Sequence, residues 1–194
     1  MKLGFKNSVL VRIAALLLAG AAPALSGCKK TDFAQQQEDR QNEYKAKDDV
    51  LIQAYLTRKG ITAGDGVNQY VRLNDATNDG LYLVKVSDGP ATNSLITAGK
   101  QVDVKYIGRL LRETNETTIF DNSTDYRTPC GCINLTVGVG GFIKAWDQGL
   151  LKMKKGDKKL LLIPSYLAYG QVGSPPKIPG DEPILFEVEV LDVR

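Results

Sequence analysis

Residues 139–170 read VGGFIKAWDQGLLKMKKGDKKLLLIPSYLAYG and contain the only tryptophan of the chain, Trp146. Ile143, Trp146 and Leu150 recur on one helical face, between a glycine run and a Lys-Gly-Asp turn. The helix is short, and a short helix gains little from its own hydrogen bonds. Its largest side chain therefore needs a surface supplied from elsewhere. The run Leu160–Leu161–Leu162–Ile163 follows at once and reads as a buried strand.

Working outward, that surface reads as a sheet. Tyr82, Val84 and Val86 alternate, and Asp88-Gly89-Pro90 then turns the chain. Val102, Val104 and Tyr106 alternate against Asp103 and Lys105; Ile133, Leu135 and Val137 do the same. Ile184, Phe186, Val188 and Val190 alternate against Glu187 and Glu189 near the C-terminus. About five strands with one short helix between the third and fourth indicate an α+β domain, an antiparallel sheet packed on that helix, over residues 80–194.

The preceding segments differ in character. Lys2, Lys6 and Arg12 lead into an apolar run that ends near Ala24, followed by Leu25-Ser26-Gly27-Cys28. A basic start, a short apolar core and small residues describe a secretory signal peptide over residues 1–27. The run is too short and interrupted to make a good spanning helix. The Leu-Ser-Gly-Cys ending resembles a bacterial lipobox. That resemblance implies lipidation of Cys28 and a chain held by a lipid anchor at the bacterial cell envelope, facing the periplasm.

Residues 28–79 read as a lipid-attached helical stalk and linker. Val50, Leu51, Ala54, Tyr55 and Leu56 recur at helical spacing, and Gly60 suits a helix end, so a helix is expected over 33–59. This N-terminal extension is either a stalk that pairs two copies into a dimer or an amphipathic helix folded back on the domain. Residues 60–79 are rich in Gly, Asn, Asp and Thr and read as a loop.

Composition excludes several function classes. The chain has no histidine, which removes Ser-His and Cys-His dyads and histidine-ligated metals. With the signal peptide gone, the 25 basic residues lose three, leaving 22 against 22 acidic. That balance gives no electrostatic case for nucleic acid. Cys130 and Cys132 are too few for a structural zinc site; they either pair or stay free. No cofactor is expected.

No nucleophile or acid–base pair stands out. Four stretches do: VDVKYIGRL at 102–110, TIFDNS at 118–123, the opening segment at 139–170, and IPGDEPILFEVEVLDV at 178–193. In this order they resemble the FKBP-type peptidyl-prolyl isomerases, through Tyr106-Ile107-Gly108, Phe120-Asp121, the Gly141 to Trp146 run and Ala168-Tyr169-Gly170. The resemblance implies a curved antiparallel β-sheet wrapped around the one short helix, with an apolar pocket between them. By position, Trp146 would be its floor, and Tyr106, Phe120 and Phe186 its walls. Asp121, Phe142 and Ile178 would also line it. The Tyr169 hydroxyl and the Ile143 amide would bond substrate carbonyls. Trp146 and Phe186 taken alone read simply as core, and Asp121 as a loop-ordering acceptor for Tyr106 or a backbone amide.

The implied partners are proline-containing unfolded or exported polypeptides and macrolide inhibitors of the FK506 type. Where members of this family commonly carry an aromatic wall residue, this chain has Ile133, which implies a smaller wall. The segment DYRTPCGC at 125–132 also departs from the usual run. The loop GQVGSPPKIPGDEP at 170–183, with four prolines and three glycines, reads as a flap over the pocket.

Overall fold

A computed structural model describes residues 29–74 and 80–194, with side chains from residue 33. The expected signal peptide and Cys28 lie outside the described residues. A long helix, α1 (Lys29–Arg58), is followed by strands β1 (Thr62–Ala63), β2 (Gln69–Leu73), β3 (Leu81–Ser87), β4 (Gln101–Leu110), β5 (Ile119–Asn122) and β6 (Ile133–Thr136). The short helix α2 (Lys144–Leu150) then precedes β7 (Lys158–Ile163) and β8 (Ile184–Val193). No described helix is long and apolar enough to cross a membrane.

The strands form one sheet in the order β1-β2-β3-β7-β8-β4-β5, and β6 also pairs with β4. β8 lies between β7 and β4, pairing Phe186 with Leu161 on one side and with Gly108 on the other. All pairings are antiparallel except the short parallel β1–β2 contact. The eight strands exceed the expected five. β5 is too short to show alternation, and residues 60–79, expected as a loop, carry β1 and β2. Asn68 at φ 60° and a wide turn at Gly64 double that segment back, so that Tyr70 pairs with Val84. Its turn-forming composition was legible; the pairing was not, because two and five residues are too few to set a period.

The sheet is buried on both faces. Leu81, Leu83, Leu161, Ile163, Phe186 and Val188 face the main core, where α2 contributes Ala145, Trp146 and Leu150. Tyr82, Val84, Leu162 and Leu185 face the other way and meet Ile52, Tyr55 and Leu56 of α1. This explains the continuous runs LYLV and LLLI, which alternation alone misreads. In β3 the Tyr82–Val84 set points to α1, while Leu81 and Leu83 fill the core against α2.

The later half of α1 is thus folded back on the domain. Its end is fixed by a Schellman motif. Ile61 N–H donates to the Leu56 carbonyl at 2.9 Å and Gly60 N–H to the Thr57 carbonyl at 3.1 Å, with Gly60 at φ 64°. Ile61 and Leu56 share one apolar cluster, the contact that accompanies this cap. Upstream, the buried Asp48 carboxylate accepts from the Ser165 N–H at 2.8 Å and the Ser165 hydroxyl at 2.7 Å. Arg40 pairs with Asp181 in the loop 170–183. Residues 33–39 remain exposed.

Two measurements check this docking. Ile52 is fully buried, so Ile52→Ala removes apolar contact and leaves a cavity. Urea denaturation is expected to show a loss of about 2–5 kcal/mol; a loss near zero would mean that α1 does not rest on the sheet in solution. Tyr82, buried and donating to the Asp49 carboxylate, has its hydroxyl pKa pushed up to about 12 by burial and then by that carboxylate. The unfolded chain ionises nearer 10, so this contribution is full below pH 10 and is lost as pH rises toward 12. Between about pH 9 and about pH 11.5, stability should fall less steeply in Tyr82→Phe than in the wild type.

Candidate peptide-binding site

Three strands, the helix α2 and the segment before it meet around Trp146. β4 supplies Tyr106, β5 supplies Phe120 and Asp121, β8 supplies Phe186, α2 carries Trp146, and Phe142 lies just before α2. Trp146 meets the Tyr106 ring edge-on at 5.1 Å and the Phe186 ring at 5.2 Å. Phe186 also meets Tyr106 at 5.5 Å and Phe120 at 5.4 Å, both edge-on. Each such contact places a positive ring edge against a negative ring face. Phe142 stacks on Trp146 at 5.7 Å and stays 44% exposed, while Trp146, Phe120 and Phe186 are each 3% exposed.

Gly108 makes this ring cluster possible. A Cβ there would sit 2.6–2.7 Å from Phe120 and Phe186. The glycine of the Tyr-Ile-Gly motif is required by close approach across β4, β5 and β8.

The polar groups divide into committed and uncommitted. The Tyr106 hydroxyl donates to Asp121 at 2.8 Å, and Asp121 accepts from the Asn122 N–H at 2.9 Å through its other oxygen. Asp121 therefore has the ordering role that its position suggested. Burial, the neighbouring Tyr126 hydroxyl and Asp121 together hold the Tyr106 hydroxyl far above the usual tyrosine range. Tyr106 is a fixed proton donor and not a base.

Tyr169 follows a short 3₁₀ turn, Ser165–Leu167, and packs against the core cluster. Its hydroxyl makes no hydrogen bond to a described residue, and its pKa is raised by burial, then by the Asp121 and Tyr126 charges. Ile143 is the residue that caps the N-terminus of α2, in extended conformation, so its N–H precedes the helical ladder. The remaining predicted residues are Ile133, half-buried at the start of β6, and Ile178, 3% exposed in the loop 170–183; both pack against the same cluster as Trp146. Lys177 next to Ile178 donates to the Phe120 carbonyl at 2.9 Å and ties that loop to β5.

The sequence pattern does not reveal three contributors. Tyr126 ends a 3₁₀ turn, Ser123–Tyr126, with its hydroxyl 3.5 Å from that of Tyr106. Lys177 ties the loop 170–183 to β5, and Asp147 accepts from the Gly138 N–H at 2.7 Å, fixing the turn before α2. Periodicity marks buried faces, and none of these three roles depends on a periodic face. The Cys130 and Cys132 sulfurs are bonded to each other.

The arrangement is an aromatic basin with a closed hydroxyl–carboxylate pair at one side and an uncommitted phenol at another. No serine, threonine or cysteine of this ring cluster stands beside a base, and the described residues include no group of three or more His, Cys, Asp or Glu side chains suited to a metal. Fold and site define a class: an α+β domain whose sheet and short helix enclose a cluster of aromatic rings around Trp146. Comparison with known sequences makes the class specific. The profile of the FKBP-type peptidyl-prolyl cis-trans isomerases matches residues 92–191, and the chain belongs to that family.

Relatives include "Peptidyl-prolyl cis-trans isomerase FKBP2" of Mus musculus, 43% identical over 96 residues, which are 50% of this chain and 64% of that protein. "Peptidyl-prolyl cis-trans isomerase FPR2" of Saccharomyces cerevisiae is 43% identical over 107 residues, 54% of this chain and 75% of that protein. "FK506-binding protein" of Neisseria meningitidis is 43% identical over 114 residues, 59% of this chain and 96% of that protein. The match spans less than two thirds of the mouse protein's length.

Gly108→Ala tests the packing of the site. The added methyl must displace the Phe120 and Phe186 rings, a form of overpacking that costs about 1–3 kcal/mol. Thermal denaturation should show that loss, and near-ultraviolet circular dichroism should show a changed Trp146 environment. An unchanged spectrum would mean that the rings are not in contact with residue 108.

Proposed function

We propose that the protein is a peptidyl-prolyl cis-trans isomerase acting on exported or envelope polypeptides. The observation that carries this reading is the Trp146 floor between Tyr106 and Phe186, with Tyr169 offering a half-buried, uncommitted hydroxyl. Rotation about a peptide bond costs about 18–20 kcal/mol because it breaks amide resonance. An X–Pro bond therefore turns over tens to hundreds of seconds unaided. No covalent bond need break, so no nucleophile is required. A site accelerates the rotation by binding the twisted amide more tightly than the planar one. The twisted carbonyl has less charge separation, so an apolar basin favours it relative to water. The proline ring rests on Trp146, and Tyr169 and the Ile143 amide hold neighbouring carbonyls. Lowering the barrier by ~7 kcal/mol speeds the step about 10⁵-fold.

The surroundings extend the proposal. The Leu25-Ser26-Gly27-Cys28 motif supports removal of residues 1–27 and a lipid anchor on Cys28 at a bacterial envelope, facing the periplasm. Exposed residues 33–39 of α1 then separate the domain from the membrane, and are available for pairing two copies. Ile133 in place of a larger ring leaves one wall small, which weakens contact with substrates and with FK506-type macrolides alike. A second reading, client binding without catalysis, is favoured by the exposed apolar rim: Phe142 is 44% and Tyr126 57% exposed beside the basin.

A protease-coupled assay on a short Leu-Pro peptide decides between the two. The full chain should accelerate isomerisation at micromolar concentration. Tyr169→Phe should lower kcat/KM about 2- to 10-fold, the worth of one hydrogen bond. A folded wild type with no acceleration would overturn the enzymatic reading and leave client binding.

A further inference from the structure

The segment that departs most from the family pattern, residues 125–132, ends in a bonded pair of cysteines two positions apart. A disulfide stabilises a fold mainly by closing a loop in the unfolded chain, and the effect shrinks as the loop shortens. At this spacing the bond is a poor staple. The loop is also held without it. The Ser123 hydroxyl donates to the Gly131 carbonyl at 2.8 Å, and the Thr128 hydroxyl accepts from the Cys132 N–H at 3.0 Å and donates to the Cys132 carbonyl at 2.6 Å. Gly131 N–H donates to the Thr128 carbonyl at 2.9 Å. None of these four bonds uses a sulfur atom.

The two sulfurs are unequal. Cys130 is exposed, whereas Cys132 is 4% exposed. Thr128 Oγ1 lies 3.6 Å from Cys130 Sγ, and the Lys105 side chain passes beside Gly131, its Cε 3.9 Å from where a Cβ there would stand. Exposure leaves the Cys130 sulfur open to an incoming thiol, and burial shields the Cys132 sulfur.

The pair also stands at the basin. Tyr126, four positions before Cys130, has its hydroxyl 3.5 Å from that of Tyr106. Four residues of chain can carry Cys130 at most ~14 Å from Tyr126. Ile133, directly after Cys132, packs against the Trp146 cluster. The loop thus joins Tyr126, beside Tyr106, to Ile133, which packs on the core that contains Trp146.

We propose that Cys130–Cys132 is a thiol–disulfide exchange site whose substrates are cysteine-containing polypeptides seated in the adjoining basin. A substrate thiolate attacks Cys130 Sγ; the Cys130–Cys132 bond breaks, its electron pair goes to Cys132 Sγ, and that thiolate takes a proton from solvent. A mixed disulfide joins Cys130 to the substrate. A second thiolate of the same substrate attacks the substrate sulfur of that bond, and Cys130 leaves as a thiolate. The substrate's two thiols are oxidised to one disulfide, and the cysteine pair is reduced to two thiols. A low-molecular-weight disulfide restores the pair by the reverse exchange. The choice of substrate rests on the peptide-binding reading of the basin; the exchange itself rests on the loop.

The experiment has two arms on the full-length chain. In the first, the folded protein is equilibrated with about 10 mM reduced glutathione, quenched by alkylation and weighed by mass spectrometry. At least half of the pair should be reduced, as for labile exposed disulfides. Retention of more than about nine tenths would mark a structural bond and overturn the proposal. In the second arm, Cys132→Ser is mixed with a disulfide-activated peptide bearing cysteine three residues from Leu-Pro. Cys130 should form the mixed disulfide about tenfold faster than Cys132 does in Cys130→Ser, because Cys132 is buried. The same peptide with alanine for proline should react about tenfold more slowly, because it loses the proximity that seating in the basin supplies. Equal rates for the two variants overturn the assignment of Cys130, and equal rates for the two peptides overturn the coupling to the basin. Loss of isomerisation in the Leu-Pro assay with both arms intact would count against the enzymatic reading alone.

Discussion

The edge contact between Trp146 and Phe186 ties the structure together. It joins the one short helix of the core to the strand at the middle of the sheet, at 5.2 Å between ring centres. α2 spans seven residues, too few to persist in water by its own hydrogen bonds. It is held because Ala145, Trp146 and Leu150 lose their exposure against β3, β7 and β8. The same rings that hold the helix line the basin, so folding energy and binding surface share one set of side chains. Gly108 permits this arrangement by leaving out the one methyl that would push Phe120 and Phe186 apart.

From that contact the rest of the site follows. A floor of aromatic rings has few polar atoms of its own to orient a peptide, and hydrogen-bonding groups stand at its edge. Tyr106 is spent on Asp121, and Asp121 on both Tyr106 and the Asn122 amide. That closed pair stiffens the wall and keeps the tyrosine protonated. Tyr169 is left as the hydroxyl able to meet a substrate carbonyl. A chain without histidine suits a reaction in which only a torsion angle changes.

The second layer of the protein is α1. It covers the sheet face opposite the basin with Ile52, Tyr55 and Leu56, and reaches the site's neighbourhood through polar contacts. Asp48 holds Ser165 at the turn that leads to Tyr169, and Arg40 holds Asp181 in the loop that carries Ile178. The helix therefore braces the two segments that carry Tyr169 and Ile178. Burial raises the Asp48 pKa although both Ser165 bonds oppose that rise, which marks this carboxylate as the costly element of the brace.

Much of the fold was legible in the sequence. Alternation placed β3, β4, β6 and β8, the apolar run placed β7, and the Ile143–Trp146–Leu150 face placed α2. These signals are local: a period of two or of 3.6 residues. The grouping of Tyr106, Phe120, Trp146, Tyr169 and Phe186 came instead from the resemblance of the ordered motifs to a known family. Other features depend on pairing between distant segments. β1 and β2 are too short to carry a period, and α1 was equally readable as an arm or a cover until Leu162 and Leu185 were seen to need one. Tyr126 and Lys177 act from irregular segments, where function depends on where the loop ends are held. Sequence thus determined which residues are apolar and at what spacing; tertiary structure decided which face each one meets, because burial is a property of the surface supplied by residues tens of positions away.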